Sequence, residues 1–379
     1  MNKKSIYLVV FANLLVILGF TEFILPKIFP VSRTVHKYWD DRPATYWPNM
    51  EHRDVTSNYD IYFQSNSLGF KDDDEYTEAK PSNVFRILML GDSMVDSLGV
   101  RNQAKMSKVI QKIALSEGYR IEAIPMGMSG FSQTHQLKNY TSLGRKYSPD
   151  MVISFFCFND VLDNVRNWPI HFLEDGQLVE RFSKAGQSAT LVQEYLFRGF
   201  LNHFDSYYIF RAIAIDLYKR FFNPNSTLDA GRARVLSGRT RDVADPSTPK
   251  SITMESVPQD PKYTELFKAL VAELKKEVDT DGSKLVSLIT PGHVDLDDYH
   301  YRELFDWAKS VYQSNGINII DTREYQRKKY LETGKLPHWF TDYHWNELGQ
   351  RQAAEQTWGF IKERYDLSAY RIKNQSKNI

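Results

Sequence analysis

Cysteine is nearly absent from this chain, and neither sign of charge dominates it. The one cysteine, Cys157, has no partner for an internal disulfide, and its place in an apolar run predicts a buried thiol without a chemical role. Lys and Arg number 48 against 47 Asp and Glu, which gives a formal net charge of +1. That balance provides no extended positive field, so nucleic acid is not an expected partner. The sequence also lacks internal repeats at the periods of solenoid proteins.

Apolar and aromatic residues, by contrast, are plentiful. Hydrophobic residues make up 42% of the 379 positions and aromatic residues 14%. This composition allows a sizeable core and is too apolar for a disordered chain. The length fits one large domain, or one domain with a lid.

The N-terminus carries a long apolar run. Lys3 and Lys4 precede the stretch from Ile6 to Leu25, which reaches the roughly 20 residues that a helix needs to cross a bilayer. A cleaved signal peptide is the alternative, but no small-x-small cleavage site follows the run. We therefore expect an uncleaved single-pass anchor over residues 1–30. The positive residues before it predict a cytoplasmic N-terminus, which puts the rest of the chain outside the cytoplasm, in a bacterium the periplasm or outer face.

Beyond the anchor, the sequence pattern divides the chain into two parts. Residues 31–80, rich in Tyr, Trp, Asp and Pro without clear periodicity, predict a stalk that becomes an edge segment of the domain. Residues 81–379 alternate near-continuous apolar strands with helices, as a parallel sheet covered on both faces requires. An insertion at about 161–262 has an aromatic first half, whose helical stretches at 191–201 and 207–222 predict a lid, and a polar second half that predicts a loop. The fold class is therefore α/β with a doubly wound parallel sheet. The predicted strands are 85–90, 121–125, 151–158, 285–289 and 317–320, and the predicted helices of this part are 105–117, 263–278 and 347–363.

A candidate nucleophile ends the first of these strands. Gly91-Asp92-Ser93 predicts a sharp turn that opens a helix, with the Ser93 hydroxyl at the sheet rim and its N–H near the positive end of the helix. A serine in such a turn is more often a helix cap. The assignment therefore depends on partners elsewhere in the chain.

The candidate base is His344, in the loop before the C-terminal helix. Asp342 is close enough in the loop to orient the imidazole and to stabilise the imidazolium that forms when it takes the serine proton. The alternative is a structural histidine beside a helix capped by Asn346.

Two further residues are candidate donors to an oxyanion. Gly130 follows the second strand, where a backbone N–H can face the site, and Asn159 ends the third strand with a side-chain amide. Each is also an ordinary turn residue. Together with Ser93 they fall at the carboxyl ends of successive strands, where open α/β sheets bind ligands.

The order of these residues resembles the SGNH (GDSL-like) hydrolase superfamily over about 65–363. Gly91-Asp92-Ser93, Gly130, Asn159-Asp160 and Asp342-x-His344 are similar to its four blocks. The resemblance extends to segments 66–70, 99–100 and 149–150, which are similar to the bacterial secreted or membrane-tethered branch. It implies a flavodoxin-like three-layer fold, with Ser93 as nucleophile, His344 as base and Asp342 as its partner. It also implies an oxyanion hole formed by Ser93 N–H, Gly130 N–H and the Asn159 side chain.

Three positions depart from the family pattern. Cys157 replaces a glycine two places before Asn159, Met94 replaces the leucine of the family's nickname, and Asp342 and His344 are two apart instead of three. The last spacing resembles the polysaccharide-acylation branch. None of the three changes removes a catalytic group.

The resemblance implies an acylated cell-surface or exported glycan as substrate and no cofactor. An ester hydrolase and an O-acyltransferase remain open, because both pass through an acyl-serine and differ only in whether water or a sugar hydroxyl attacks it. A third alternative is a non-catalytic glycan-binding or scaffold protein, beside a polytopic acyl-donor membrane protein.

A competing cluster, with His293, Asp295, Asp297, Asp298 and His300, contains metal-ligand residue types, but a solvated acidic loop is the preferred interpretation and no metal is expected.

Overall fold

The computed structural model of the protein describes residues 3–28, 32–34, 36–182, 210, 260–291, 301–340 and 342–372. The predicted lid helix at 191–201 lies outside these residues, as does the second lid helix at 207–222 except for Phe210. The acidic loop at 293–300, with its candidate metal ligands, also lies outside them.

The N-terminal run forms a continuous helical segment. It consists of α1 (Lys3–Gly19), a π-helical turn (Phe20–Ile24) and α2 (Leu25–Ile28). An 18-residue window within residues 4–24 has a mean hydropathy of 2.1, and none of that window is buried against the described part of the chain. By length and composition the helix can cross a membrane.

The segment after this helix packs on the domain through short strands that the sequence did not predict. These are β1 (His36–Lys37) with β2 (Thr45–Tyr46), and β3 (Glu51–Val55) with β4 (Asp60–Gln64), each pair antiparallel. Strand β4 alternates exposed and buried residues, and with β2 it contributes Tyr46, Ile61 and Phe63 to the core. Strands β1 and β2 have two residues each, too few to show a period, and β3 and β4 contain few apolar residues, so the sequence pattern did not mark these strands.

A five-stranded parallel sheet forms the centre of the domain. The strands that follow β4 are β5 (Phe85–Gly91), β6 (Ile121–Gly127), β7 (Met151–Phe156), β8 (His171–Glu174), β9 (Gln177–Glu180), β10 (Lys284–Ile289) and β11 (Asn318–Asp321). The spatial order of the sheet is β11-β10-β7-β5-β6, and every neighbouring pair is parallel. The five predicted strands are therefore confirmed. A hairpin of β8 and β9 lies outside this sheet.

Helices cover both faces of the sheet. Those that the structure describes after α2 are α3 (Ser93–Asp96), α4 (Met106–Ser116), α5 (Gln133–Ser142), α6 (Asp160–Arg166), α7 (Pro261–Thr280), α8 (Arg302–Ser314), α9 (Thr322–Thr333) and α10 (Glu347–Arg364). One core includes Leu137, Phe267 and Leu304 from α5, α7 and α8, and the other includes Ile110 from α4 and Trp358 from α10. The doubly wound α/β prediction is confirmed.

The strand order creates a switch point at the carboxyl end of β5. The chain leaves β5 for β6 on one side and then returns to form β7 on the other. Open α/β sheets bind ligands at this kind of crevice. Ser93, Gly130 and Asn159 follow β5, β6 and β7, so the topology brings these three loops to one edge of the sheet.

Candidate active site

Ser93 occupies a tight turn between strand β5 and helix α3. Gly91 ends the strand where a side chain would not fit, because an added Cβ would lie 2.6 Å from Val95 and 2.8 Å from Phe155. Asp92 caps α3 by accepting a hydrogen bond from Met94 N–H at 2.9 Å. The cap belongs to Asp92, so Ser93 is free of the capping role that was the alternative explanation for it.

Ser93, His344 and Asp342 form a hydrogen-bonded chain. His344 Nε2 lies 2.7 Å from Ser93 Oγ, across 251 residues of sequence. On the other side of the ring, His344 Nδ1 lies 2.6 Å from Asp342 Oδ1. Because a carboxylate only accepts hydrogen bonds, Nδ1 carries the hydrogen, and the Nε2 lone pair faces the serine hydroxyl.

Helix α10 holds the base against the nucleophile turn. Asn346 caps this helix by accepting from the N–H groups of Leu348 and Gly349, so the predicted cap exists beside the His344–Ser93 contact. Gln350, one turn into the helix, donates to the carbonyl of Met94 at 3.2 Å. The cap and this bond therefore fix the loop relative to α3.

Charge and burial support the protonation states that this chain of hydrogen bonds requires. Burial raises the pKa of Asp342, but the hydrogen bond and charge of His344 outweigh it and hold that pKa below its ordinary value. Asp342 therefore stays ionised at neutral pH. Burial raises the pKa of Asp92, a second carboxyl near the base that sequence reasoning assigned no role.

The candidate oxyanion donors Gly130 and Asn159 lie in the loops after β6 and β7. Gly130 has a φ of +82°, in the left-handed region that favours glycine, and a Cβ there would lie 3.5 Å from the side-chain nitrogen of Asn167. Asn159 precedes α6 without capping it through its side chain. Instead, Asn159 Nδ2 donates to Asp163 Oδ2 at 2.5 Å. An amide nitrogen carries two hydrogens, so one N–H of Asn159 remains for a substrate.

Asp163 is a residue that sequence reasoning missed. Burial raises its pKa to about 6, further raised by the charge of Asp92 and opposed by the hydrogen bond from Asn159. An aspartate four residues after a turn asparagine resembles any helix-surface carboxylate, so no pattern in the sequence marks it.

A buried polar network behind the nucleophile was also missed. Lys71 Nζ donates to the carbonyl of Ser97 at 2.9 Å, and Tyr46 donates to Asp96 Oδ2 at 2.8 Å. Burial lowers the pKa of Lys71 to about 7, although the charge of Asp96 opposes that shift. Lys71 and Tyr46 belong to the segment that follows the N-terminal apolar helix. This segment therefore supports the turn that carries Ser93.

Cys157 is buried and unpaired, as the sequence predicted. Its backbone N–H donates to Asp160 Oδ2 at 3.1 Å, and Gln133 donates to the same oxygen at 2.7 Å. Asp160 thus braces the loop that carries Asn159.

Comparison of the chain with known proteins gives matches among solved structures alone. No family model and no curated protein sequence matches it. An acetyl xylan esterase is similar at 12% identity and a TM-score of 0.40, over 73% of this chain and 99% of that one. A lipase/acylhydrolase from Enterococcus faecalis is similar at 13% and 0.38, over 74% and 97%. A catalytic mutant of an acetylxylan esterase from Geobacillus stearothermophilus is similar at 13% and 0.37, over 74% and 95%.

The parallel sheet and the positions of the four sequence blocks at its carboxyl edge agree with the fold that the sequence implied. In block order and in the arrangement of Ser93, His344 and Asp342, the chain is similar to the SGNH (GDSL-like) hydrolases.

Proposed function

We propose that this protein is a serine-dependent ester hydrolase that works through an acyl-Ser93 intermediate. The proposal depends on one observation above all, the 2.7 Å contact between Ser93 Oγ and His344 Nε2 backed by the 2.6 Å contact between His344 Nδ1 and Asp342. A serine hydroxyl becomes a useful nucleophile only when a positioned base can take its proton.

In the first half-reaction, Ser93 Oγ attacks the ester carbonyl carbon while its proton moves to His344 Nε2. Asp342 stabilises the imidazolium through Nδ1–H. The carbonyl oxygen becomes an oxyanion, which accepts hydrogen bonds from Ser93 N–H, Gly130 N–H and the second N–H of Asn159. The tetrahedral intermediate then breaks its bond to the alcohol oxygen, and that oxygen leaves with the proton from His344.

In the second half-reaction, water gives a proton to His344 and attacks the acyl-Ser93 carbonyl carbon. Collapse releases the carboxylic acid and returns the proton to Ser93 Oγ. If a sugar hydroxyl replaces water, the same atoms carry out O-acyl transfer.

Labelling with a fluorophosphonate probe tests the nucleophile. The full-length protein should form a covalent adduct on the peptide containing Ser93, and should hydrolyse p-nitrophenyl acetate. Ser93→Ala should remove both signals, while Ser116→Ala, at an exposed position on α4, should keep both. An unlabelled but folded wild-type protein would instead indicate the scaffold function.

We further propose that the enzyme acts outside the cytoplasmic membrane on acyl esters, acetyl above all, of a surface or exported glycan. The apolar helix over residues 4–24 supports the location. Membrane fractionation and accessibility of a C-terminal tag to external protease test it, and a soluble, N-terminally trimmed protein would contradict it. Mass analysis of surface polysaccharide tests the substrate: loss of an esterase leaves more ester groups, and loss of a transferase leaves fewer.

A further inference from the structure

A cavity of about 330 Å³ opens beside the loop that carries Gly130. Three separate segments form its wall: the chain after the membrane helix, through Tyr38; the loop after β6, through Ser129; and the approach to the β8–β9 hairpin, through Trp168. Ser129 is the direct neighbour of the proposed oxyanion donor. If Gly130 N–H meets the oxyanion as proposed, a part of the substrate beyond the reacting ester can extend toward this cavity.

His135 lines this cavity, and its Nε2 makes no hydrogen bond within the described part of the chain. Its side chain is 1% exposed, and its Nδ1 accepts the N–H of Ser132 at 3.2 Å within the cap of α5. Since Nδ1 is an acceptor, the hydrogen of the neutral ring lies on Nε2. Among the described residues, Nε2 has no hydrogen-bond partner.

The imidazole is held neutral, so this donor is not a cationic one. Burial lowers the pKa of His135 to about 3, assisted by His171 and opposed slightly by the carbonyl of Trp168. The Trp168 carbonyl lies near enough to the ring to raise this pKa, but it is not a hydrogen-bond partner of Nε2. A buried donor without an acceptor is unfavourable, and a ligand oxygen would remove the deficit.

Trp168 gives the cavity an aromatic wall. It is 55% exposed, and its φ of +45° is unusual for a large side chain. Phe131 also lines the cavity, stacked on His135 with ring centroids 4.8 Å apart. An exposed tryptophan beside a cavity is more typical of a binding surface than of packing.

The lining favours a sugar ring over an acyl chain. A hydrocarbon chain would cover Trp168 and Phe131 but would leave the Nε2 hydrogen of His135 buried and unpaired. A pyranose has apolar C–H faces for the aromatic rings and oxygens for the donor. The guanidinium of Arg181, on the cavity wall, is paired with Glu174, so Arg181 is not an unpaired cation for an acidic sugar.

We propose that this cavity is a subsite for a neutral hexopyranose unit of the substrate, with Trp168 stacking on the ring and His135 Nε2–H donating to one of its oxygens. The inference rests on the proposed function for its substrate class, and it adds the place and the contacts of recognition. It also gives the segment after the membrane helix a role in binding, because Tyr38 forms part of the wall.

Saturation-transfer NMR on the full-length protein, in a detergent without a sugar headgroup, tests the subsite directly. The probes are the methyl glycosides of glucose, galactose and N-acetylglucosamine, with octanoate as the acyl alternative. Trp168→Ala removes the stacking surface. His135→Asn keeps an acceptor near the Nδ1 position for Ser132 N–H and removes Nε2. Tyr62→Ala, at an exposed aromatic on β4, is the matched control.

We expect at least one glycoside to receive saturation on its ring protons, and each cavity variant to bind it about 3- to 10-fold more weakly, the loss expected for one stacking contact or one hydrogen bond. Tyr62→Ala should bind normally. If His135→Asn does not fold, Trp168→Ala alone decides. Absence of transfer to every glycoside, binding of the glycoside by Trp168→Ala as tight as by wild type, or transfer to octanoate alone would overturn the subsite. Ser93→Ala should bind like wild type, so a failed hydrolase and a failed subsite give different results.

Discussion

The two halves of the candidate site differ in how completely their hydrogen bonds are used. In the half that moves protons, Ser93, His344 and Asp342 contact one another at 2.7 and 2.6 Å, and each ring nitrogen of the histidine has its partner. In the half that would receive the oxyanion, Asn159 already gives one hydrogen to Asp163, and its carbonyl oxygen is buried with no partner among the described residues.

The two halves therefore differ in which contacts already exist and which donors are left for a substrate. The proton-transfer half is built from chain segments 251 residues apart and is complete before substrate arrives. The proposed oxyanion half comes from the loops after β5, β6 and β7, and it keeps one N–H of Asn159 for a charge that would exist only during the reaction. Substitutions in the first half should therefore remove the reaction, and those in the second should weaken it by degrees.

The largest effect is expected from the nucleophile and the base. Ser93→Ala and His344→Ala should each lower kcat for p-nitrophenyl acetate by on the order of 10⁴- to 10⁶-fold, because in the proposed mechanism Ser93 forms the acyl-enzyme and His344 takes the serine proton. The double variant should lose little more than either single one. Steady-state kinetics on folded, detergent-solubilised protein measures this. Activity of Ser93→Ala within about tenfold of wild type would refute the mechanism.

Asp342→Asn should have a smaller effect than His344→Ala. The new amide can donate to Nδ1, which forces the hydrogen onto Nε2 and removes the lone pair that faces Ser93. We expect a loss of about 10⁴-fold in kcat with the fold intact. The ratio of kcat for the two variants, measured side by side with circular dichroism, checks the order. An Asp342→Asn enzyme close to wild type would limit the carboxylate to a structural role.

The oxyanion half predicts an intermediate loss for Asn159→Ala. Removing one donor should lower kcat by about 10²- to 10³-fold, roughly 3 kcal/mol of transition-state stabilisation, with little change in KM. The melting temperature should change little, because the Asn159 side chain does not cap α6 and its partner Asp163 is only half-buried.

Asn318→Ala, at the exposed start of β11, is the control for that measurement. If Asn159→Ala lowers the melting temperature while the folded protein keeps normal kcat, Asn159 is a structural residue and leaves the site.

The sequence predicted what depends on periodicity and on strand ends. The five parallel strands follow from apolar runs, and the meeting of Ser93 with Gly130 and Asn159 at one edge follows from parallel topology. The pairing of Ser93 with His344 was predicted by family resemblance and residue type, since nothing local connects positions so far apart.

What the sequence did not predict was buried charge. The buried Lys71 and Asp96 and the half-buried Asp163 resemble solvated side chains in any one-dimensional pattern, because burial of a charge depends on partners that tertiary structure supplies. The strands of residues 36–64 were missed for a related reason, since their apolar residues contact a distant core and are too few to show a period.

The smallest expected effect comes from Asp163, and it is pH-dependent. Its pKa of about 6 means that the carboxylate is ionised at neutral pH and accepts the Asn159 N–H, and that it becomes protonated as the pH falls through 6. Protonation weakens the acceptor and loosens the amide. Asp163→Asn, a permanently neutral side chain, should lower kcat by about 3- to 10-fold at pH 8, the worth of one hydrogen bond.

The ratio of wild-type to Asp163→Asn kcat isolates this group, because the two enzymes differ only at position 163. That ratio should fall toward one as the pH drops from 8 to 5, and Asp279→Asn, on the exposed surface of α7, should show no such trend.

The contribution of Asp163 to stability should have the opposite pH dependence to its contribution to kcat. The folded protein holds the Asp163 proton at a higher pH than an unfolded chain does, so its contribution to the free energy of unfolding decreases as the pH rises from about 4 to 6. Asp163→Asn should therefore unfold no more easily than wild type at pH 7 while it works more slowly. A variant that lost stability and activity together, by the same amount at every pH, would show that Asp163 only holds α6 in place.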